Sequence, residues 1–253
     1  MKFLIALLGV SGALVLGQNT ASAQQGPLTW APLEIYGCTF NDGSNMDDLD
    51  AVIDTWNEWM DENSQNNYTA IVLMPQYVAG SFAYEVLWVG AWQDSAAIAG
   101  MQQWLTEGSE INAEFGEVVT CPLRQGFAVA NVKPPAEAED IAPVAFQNCT
   151  IAENRGGLDA RIAITEFGEF LSEQGHEGGQ WILRPAAGEE ADASYSFKWV
   201  RSHPSYAALG SYFDIIFNRG GFQRLGELTG NVMSCDSPRV YNARVVREAI
   251  PGE

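Results

Sequence analysis

The chain has 253 residues, 47% of them hydrophobic and only 18% charged, with 32 acids against 13 Lys and Arg and a formal net charge of −19. That apolar share supports a packed core and excludes general disorder. Nucleic-acid binding is not expected, because neutralising phosphates needs clustered Lys and Arg, and an anionic membrane surface is disfavoured for the same reason.

Residues 1–23 read as a signal peptide. Lys2 supplies a positive start, Phe3 to Leu16 an apolar stretch, and Ala21-Ser22-Ala23 the small-residue pattern of a cleavage site. The apolar run is short for a membrane span, so the expected product is soluble, periplasmic or secreted, with no membrane attachment after cleavage.

The remainder reads twice. Cys38-Thr39 recurs as Cys149-Thr150, and the same offset pairs Asp48 with Asp159, Ile53 with Ile164, Trp56 with Phe167, Trp59 with Phe170 and Trp88-Val89 with Trp199-Val200. An ordered series with a period of about 110 residues points to a duplicated small domain rather than a solenoid. The predicted domains are 30–133 and 143–248. The Pro-rich acidic segment 134–142 between them is expected to be extended and exposed.

Each copy predicts strand, helix, strand, strand, helix, strand. In the first, Leu33 to Phe40 is β-prone, and Ser44 with Asp47 resembles a capping box. Met46, Leu49, Ile53, Trp56 and Met60 follow at helical spacing. Tyr68 to Tyr77 and Phe82 to Val89 are the middle strands. Asp94 caps a helix carrying Ala97, Ile98, Met101, Trp104 and Leu105, and Gln125 to Val132 is the last strand. The second copy predicts strands near Val144–Ile151, Gln180–Arg184, Tyr195–Val200 and Val240–Arg247. Its helices carry Ala160, Ile164, Phe167 and Leu171, then Ala208, Leu209, Tyr212, Phe213 and Ile216.

The order βαββαβ is the ferredoxin-like split βαβ, an α+β class. Two such units, with Trp88 and Trp199 on the third strand followed by Ser95-Ala96-Ala97 and Tyr206-Ala207-Ala208, resemble the dimeric α/β-barrel superfamily. That group includes antibiotic-biosynthesis-monooxygenase-like, NIPSNAP-like and stress-responsive barrel domains. The resemblance covers about residues 31–248. It implies that the two repeats pack as an intramolecular pseudo-dimer, an eight-stranded barrel whose interior side chains just fill it, so the chain is expected to be a monomer.

The implied topology bears on the cysteines. Neither a CxxC pair nor a Cys/His cluster is present, so no metal site is expected. In a ferredoxin-like sheet the end of strand 1 lies beside the start of strand 4. Cys38 and Cys121 occupy those places, as do Cys149 and Cys235. The expected bridges are therefore Cys38–Cys121 and Cys149–Cys235.

Chemistry-bearing residues are few. His176 lies in a Gly-rich turn and reads as a solvated loop histidine. His203 follows the third strand of the second copy, where the first copy has Trp92. It is the candidate catalytic residue, against the plainer reading of a helix-start histidine packed beside Pro204. Aromatic stripes on the third strands, Phe82, Tyr84 and Trp88 and then Tyr195, Phe197 and Trp199, read mostly as core. In the superfamily the usual pocket lies between sheet and helices, so Tyr84, Trp88, Trp92, Tyr195, Phe197, Trp199 and Arg201 are the candidate ligand contacts. Glu85 and Lys198, on opposite repeats, could meet across the barrel or reach solvent. Arg184 and Arg201 could receive a ligand carboxylate, though pairing with surface acids is the expected role. Asp42, Asp47, Asp48 and Asp50 gather at a helix start, where acids favour the dipole. No phosphate loop, nucleophile elbow or EF-hand spacing occurs.

The expected function is an exported protein that binds a small apolar or aromatic molecule without turnover and without a cofactor. The resemblance implies an alternative. It is a cofactor-independent monooxygenase-like enzyme working in the second repeat, or a haem-binding variant with His203 as axial ligand.

Overall fold

The computed structural model describes residues 28–250 other than 64, 66, 191 and 192, so the expected signal peptide 1–23 lies outside the described residues. The first half runs β1 (Ala31–Phe40), α1 (Met46–Glu62), β2 (Tyr68–Tyr77), β3 (Val86–Trp92), α2 (Gly100–Glu107), α3 (Ser109–Val118) and β4 (Val119–Lys133). The second runs β5 (Ala142–Ile151), α4 (Gly157–Glu173), β6 (Gln180–Ala187), β7 (Phe197–Ser202), α5 (Tyr206–Asn218), α6 (Gly221–Thr229), β8 (Met233–Cys235) and β9 (Arg239–Arg247). Between β4 and β5, residues 134–141 form no helix or strand. That segment is held to the second half by Ala136 N–H donating to the Glu177 carbonyl and Glu139 N–H to the Pro204 carbonyl.

Every strand pairing is antiparallel. The order β7-β6-β4-β1-β3-β2-β9-β5 closes on itself through β5–β7, giving an eight-stranded barrel with β8 extending the β5 edge. Two seams join the halves, β4 with β6 and β2 with β9. Period two along each strand sends alternate residues inward. Leu33, Leu73, Leu87 and Phe127 thus meet Phe146, Leu183, Val200 and Tyr241 inside the barrel, so all eight barrel strands contribute to one core. The opposite faces are covered by helices. Leu49, Trp56 and Met60 of α1 pack on Val72 and Val86, and Ile164, Phe167 and Leu171 of α4 pack on Ile182 and Trp199.

Both expected disulfides form, Cys38–Cys121 and Cys149–Cys235, with Cα separations of 4.0 and 4.1 Å. Cys149 and Cys235 are direct cross-strand partners, and Cys38 sits at a register shift between β1 and β4.

Several expectations need correction. The capping box is Asn45 with Asp48, one residue later than Ser44 with Asp47, because Asn45 is the extended residue that precedes the first helical turn. The third strands start later than their periodicity suggests, at Val86 rather than Phe82 and at Phe197 rather than Tyr195. Pairing with the first strand of each half begins at Cys38↔Val86 and Cys149↔Phe197, and the preceding residues leave the ladder. The first aromatic stripe therefore divides. Tyr84 lies over Gly37, where a Cβ would come within 2.9 Å of the phenol ring, and Phe82 packs 5.8 Å from the Tyr241 ring on the barrel side. Trp88 faces the helices instead. The single helix expected after each third strand is two: α2 and α3 break at Gly108, α5 and α6 at Arg219-Gly220, with Gly220 in the left-handed region at φ 79°. Glu85 and Lys198 do not meet. The Glu85 carboxylate accepts from Phe40 N–H, while the Lys198 ammonium donates to Asn148 Oδ1 and lies 4.2 Å from the Tyr195 ring.

Candidate functional site

On β1 the residues that alternate with the inward Leu33 and Ile35 point to the helical side, which places Glu34 and Tyr36 under α1–α3. Glu34 is opposed by Gly90 on β3 and by Gly126 on β4. The missing side chain at Gly90 is used by Tyr68, from the start of β2. A Cβ at Gly90 would lie 1.7 Å from the Tyr68 hydroxyl. Through that gap Tyr68 Oη donates to Glu34 Oε1 at 2.6 Å, and Tyr36 Oη donates to Glu34 Oε2 at 2.6 Å. Trp88 Nε1–H donates to Tyr68 Oη at 2.9 Å.

This polar cluster lines one wall of a cavity of about 330 Å3 between sheet and helices, within the range of small-molecule pockets. The other walls are mostly aromatic and aliphatic, with Gln65, Asn112 and Arg124 also on the lining. Trp56, Trp59, Trp88, Trp92, Trp104 and Phe115 all line it, Trp56 meeting Trp88 edge-on at 5.1 Å and Trp59 meeting Trp104 at 5.3 Å. Arg124 is exposed, with its guanidinium 5.2 Å from the Tyr36 ring centre. Burial pushes the Glu34 carboxyl above its ordinary value, against the opposing pull of the two phenol hydrogen bonds and the Arg124 charge. Burial, the Glu34 charge and the hydrogen bond to Glu34 raise Tyr36 and Tyr68 as well, so both stay protonated as donors.

In the second half the space equivalent to that around the Glu34 cluster is filled by side chains. Trp88 pairs with Val72 and Trp199 with Ile182, so Arg201 stands where Gly90 stands and His203 where Trp92 stands. Arg201 is 5% exposed and lies 4.5 Å from the Trp199 ring centre and 5.4 Å from that of Tyr212. Trp199 Nε1–H donates to Gln180 Oε1 at 3.0 Å. His176 and His203 complete the packing, His203 Nδ1 being 3.2 Å from His176 Nε2.

These placements correct several readings. His176 is buried at 4% exposure instead of solvated, because the turn that carries it folds under α5 against Tyr212. Arg201 pairs with Gln147 in the interior instead of with surface acids. His203, at 1% exposure, lines neither cavity. Phe197 and Trp199 belong to the core, Phe197 also lining the smaller cavity beside Arg184, and Tyr195 lies in the loop before β7, donating to Glu189. Of the candidate contacts, Trp88 and Trp92 line the large cavity and Tyr84 does not. Arg184 is exposed, stacked 5.2 Å from the Trp30 ring at a smaller cavity of about 210 Å3 that Arg161 also lines. Glu34, Tyr36 and Tyr68 did not stand out in the sequence. The available signal was a lone carboxylate two residues from a tyrosine on an otherwise apolar strand.

No family model matches the chain, and no curated protein matches it in sequence. Solved structures share its architecture. A chlorite dismutase variant from Candidatus Nitrospira defluvii is 6% identical, over 85% of this chain and 90% of that one, with a TM-score of 0.53. An anthrone oxidase-like protein is 12% identical, over 88% and 96%, at 0.50. A dye-decolorizing peroxidase from Bacteroides thetaiotaomicron is 9% identical, over 86% and 94%, at 0.50. The chain shares with them an α+β fold, an eight-stranded closed antiparallel barrel covered by helices, which is consistent with a dimeric α/β barrel.

These neighbours overturn the expectation of no cofactor: a dismutase and a peroxidase are built on the same architecture, so scarce catalytic groups are no warrant for cofactor-free working. Haem held by His203 does not fit this chain. The imidazole is 1% exposed and packed against His176 and Tyr212, and neither the large nor the smaller cavity among the described residues reaches it. In the large cavity, the two tyrosine hydroxyls are committed to Glu34.

Proposed function

We propose that this protein binds a small aromatic molecule in the first-half cavity, between the sheet and α1–α3. The observation that carries the reading is a roughly 330 Å3 space walled by tryptophans, with a hydrogen-bonded carboxylate on one wall. Tryptophan faces offer large apolar contact at low entropy cost, and a few placed polar groups orient a ligand. We also infer an exported, monomeric chain derived from a doubled βαββαβ unit. Two disulfides support the oxidising compartment, and the matching element order supports the doubling.

The test is tryptophan fluorescence and thermal melting with 2-phenylethanol as probe. Saturable quenching and a raised Tm are expected, both abolished by Met101→Trp, which fills the cavity from α2. No quenching and no shift in the unaltered protein would overturn the reading.

A second reading, turnover, is favoured by the raised pKa of Glu34, which suits a general base, and by the anthrone oxidase-like neighbour. Oxygen uptake with anthrone, lost in Glu34→Gln, would support it. Binding without uptake supports the first reading.

A further inference from the structure

We infer that the cavity selects an aromatic ammonium, a flat ring carrying a protonated amine, over the matching alcohol or carboxylate. This rests on the proposed cavity site and names its ligand class. The Glu34 end has its own donors committed. The hydrogens of Tyr36 and Tyr68 go to the two oxygens of Glu34, and the Trp88 N–H goes to Tyr68. What these groups still present to a ligand is lone pairs and negative charge, because an ionised carboxylate accepts and cannot donate. A ligand that reaches the Glu34 oxygens must bring N–H or O–H donors, and a cationic donor makes the stronger, charge-assisted bond.

The walls point the same way. A buried ammonium loses hydration, and aromatic faces replace part of that loss through their quadrupoles, tryptophan best of all. Trp56, Trp88 and Trp92 surround the Tyr68 phenol, which brings the ring walls next to Glu34. The whole molecule carries a net charge of −19, which raises the local concentration of cations. The opposing group is Arg124. Its side chain is exposed and lies over the Tyr36 ring, so solvent screens it more than the buried carboxylate. Tyr36, Tyr68 and Arg124 are the titratable or charged groups that act on Glu34.

The experiment compares 2-phenylethylamine, 2-phenylethanol and 3-phenylpropionate by calorimetry at pH 7.5. The amine should bind about tenfold or more tightly than the carboxylate, with the alcohol between them. Glu34→Gln should bring amine and alcohol within about twofold of each other. In the unaltered protein, which needs no variant to fold, amine affinity should fall as pH drops and Glu34 protonates, while alcohol affinity stays level. Equal binding of amine and carboxylate, or a preference for the carboxylate, overturns the inference and leaves the cavity reading standing. Binding of none of the three overturns both.

Discussion

Gly90 governs whether the Glu34 cluster can exist. Its Cα passes beneath the Tyr68 hydroxyl, and any added Cβ occupies that oxygen's place. Tyr68 cannot simply retreat, since its ring packs against Trp92 at 4.9 Å and Trp56 at 6.0 Å. Gly90→Ala should therefore break the Tyr68 bonds to Glu34 and Trp88. Hydrogen bonds to a charged group are worth about 1.5–3 kcal/mol, so Tm should fall by several degrees and phenylethanol binding should weaken. An unchanged Tm with unchanged binding would show that Tyr68 is not held as described. The histidine pair makes a different residue-scale prediction. Burial comes first and cationic neighbours second: they hold His176 down to about 4, with Lys133 and Arg201 nearby, and His203 down to about 3, with His176 and Arg201 nearby. Both are neutral in the fold, while the unfolded chain takes up protons near the ordinary 6.5. The unfolded state thus binds protons first, so stability falls as pH drops below about 6.5, and the loss levels off only below about 3. Melting curves between pH 7 and pH 5 should show a smaller drop for His176→Gln/His203→Gln than for the unaltered chain. Equal drops would argue against neutral burial. The same residues explain what the sequence left illegible. His203 drew attention for its chemistry, yet its surroundings come from His176, 27 residues before it, and from the inward turn of Tyr212 on α5. Glu34 owes its role to a glycine on one neighbouring strand and a tyrosine on the next, a juxtaposition set by register alone.

Element order was readable because helices and strands impose different periods on the same apolar residues. The α1 face of Leu49, Ile53, Trp56 and Met60 is buried as its spacing predicts. Boundaries were less readable. The ends of β3 and β7 depend on where a partner strand starts, which local alternation does not record. The second helix of each pair was not read apart from the first: α3 and α6 each follow a break at a glycine, Gly108 and Gly220, and each fully buries one residue, Val118 and Gly221. The disulfides belong to this scale, each tying the first strand of its half to the strand that follows its helix pair, Cys121 in β4 and Cys235 in β8. They close separations of 83 and 86 residues, for which chain entropy gives roughly 4–5 kcal/mol at most. They should differ in their effect on binding, because Cys38 and Cys121 line the large cavity and the other pair does not. Cys38→Ala/Cys121→Ala should lower both Tm and phenylethanol affinity. Cys149→Ala/Cys235→Ala should lower Tm alone. Loss of affinity in the second variant would mean that the cavity is not confined to the first half.

At the scale of the whole molecule, the question is what keeps the halves together. Neither disulfide crosses between them, since both bridges lie within a half. The connecting segment 134–141 carries no helix or strand. Cohesion must come from the two barrel seams and the shared interior. The β4–β6 seam runs from Gly126↔Ala187 to Lys133↔Gln180, and β2–β9 from Ala70↔Arg247 to Tyr77↔Val240. Alone, each half would expose two unpaired strand edges and an apolar face, both strongly disfavoured in water. A protease site placed within 134–141 therefore gives a clear expectation. After cleavage, without reductant, the two fragments should co-elute at the size of the intact chain and unfold in one transition, by tryptophan fluorescence and circular dichroism alike. They should part only in denaturant. Separation under native conditions would mean that the connecting segment, rather than the closed barrel, holds the halves in place. The filled second half would then be a free-standing domain, no longer one wall of a common core.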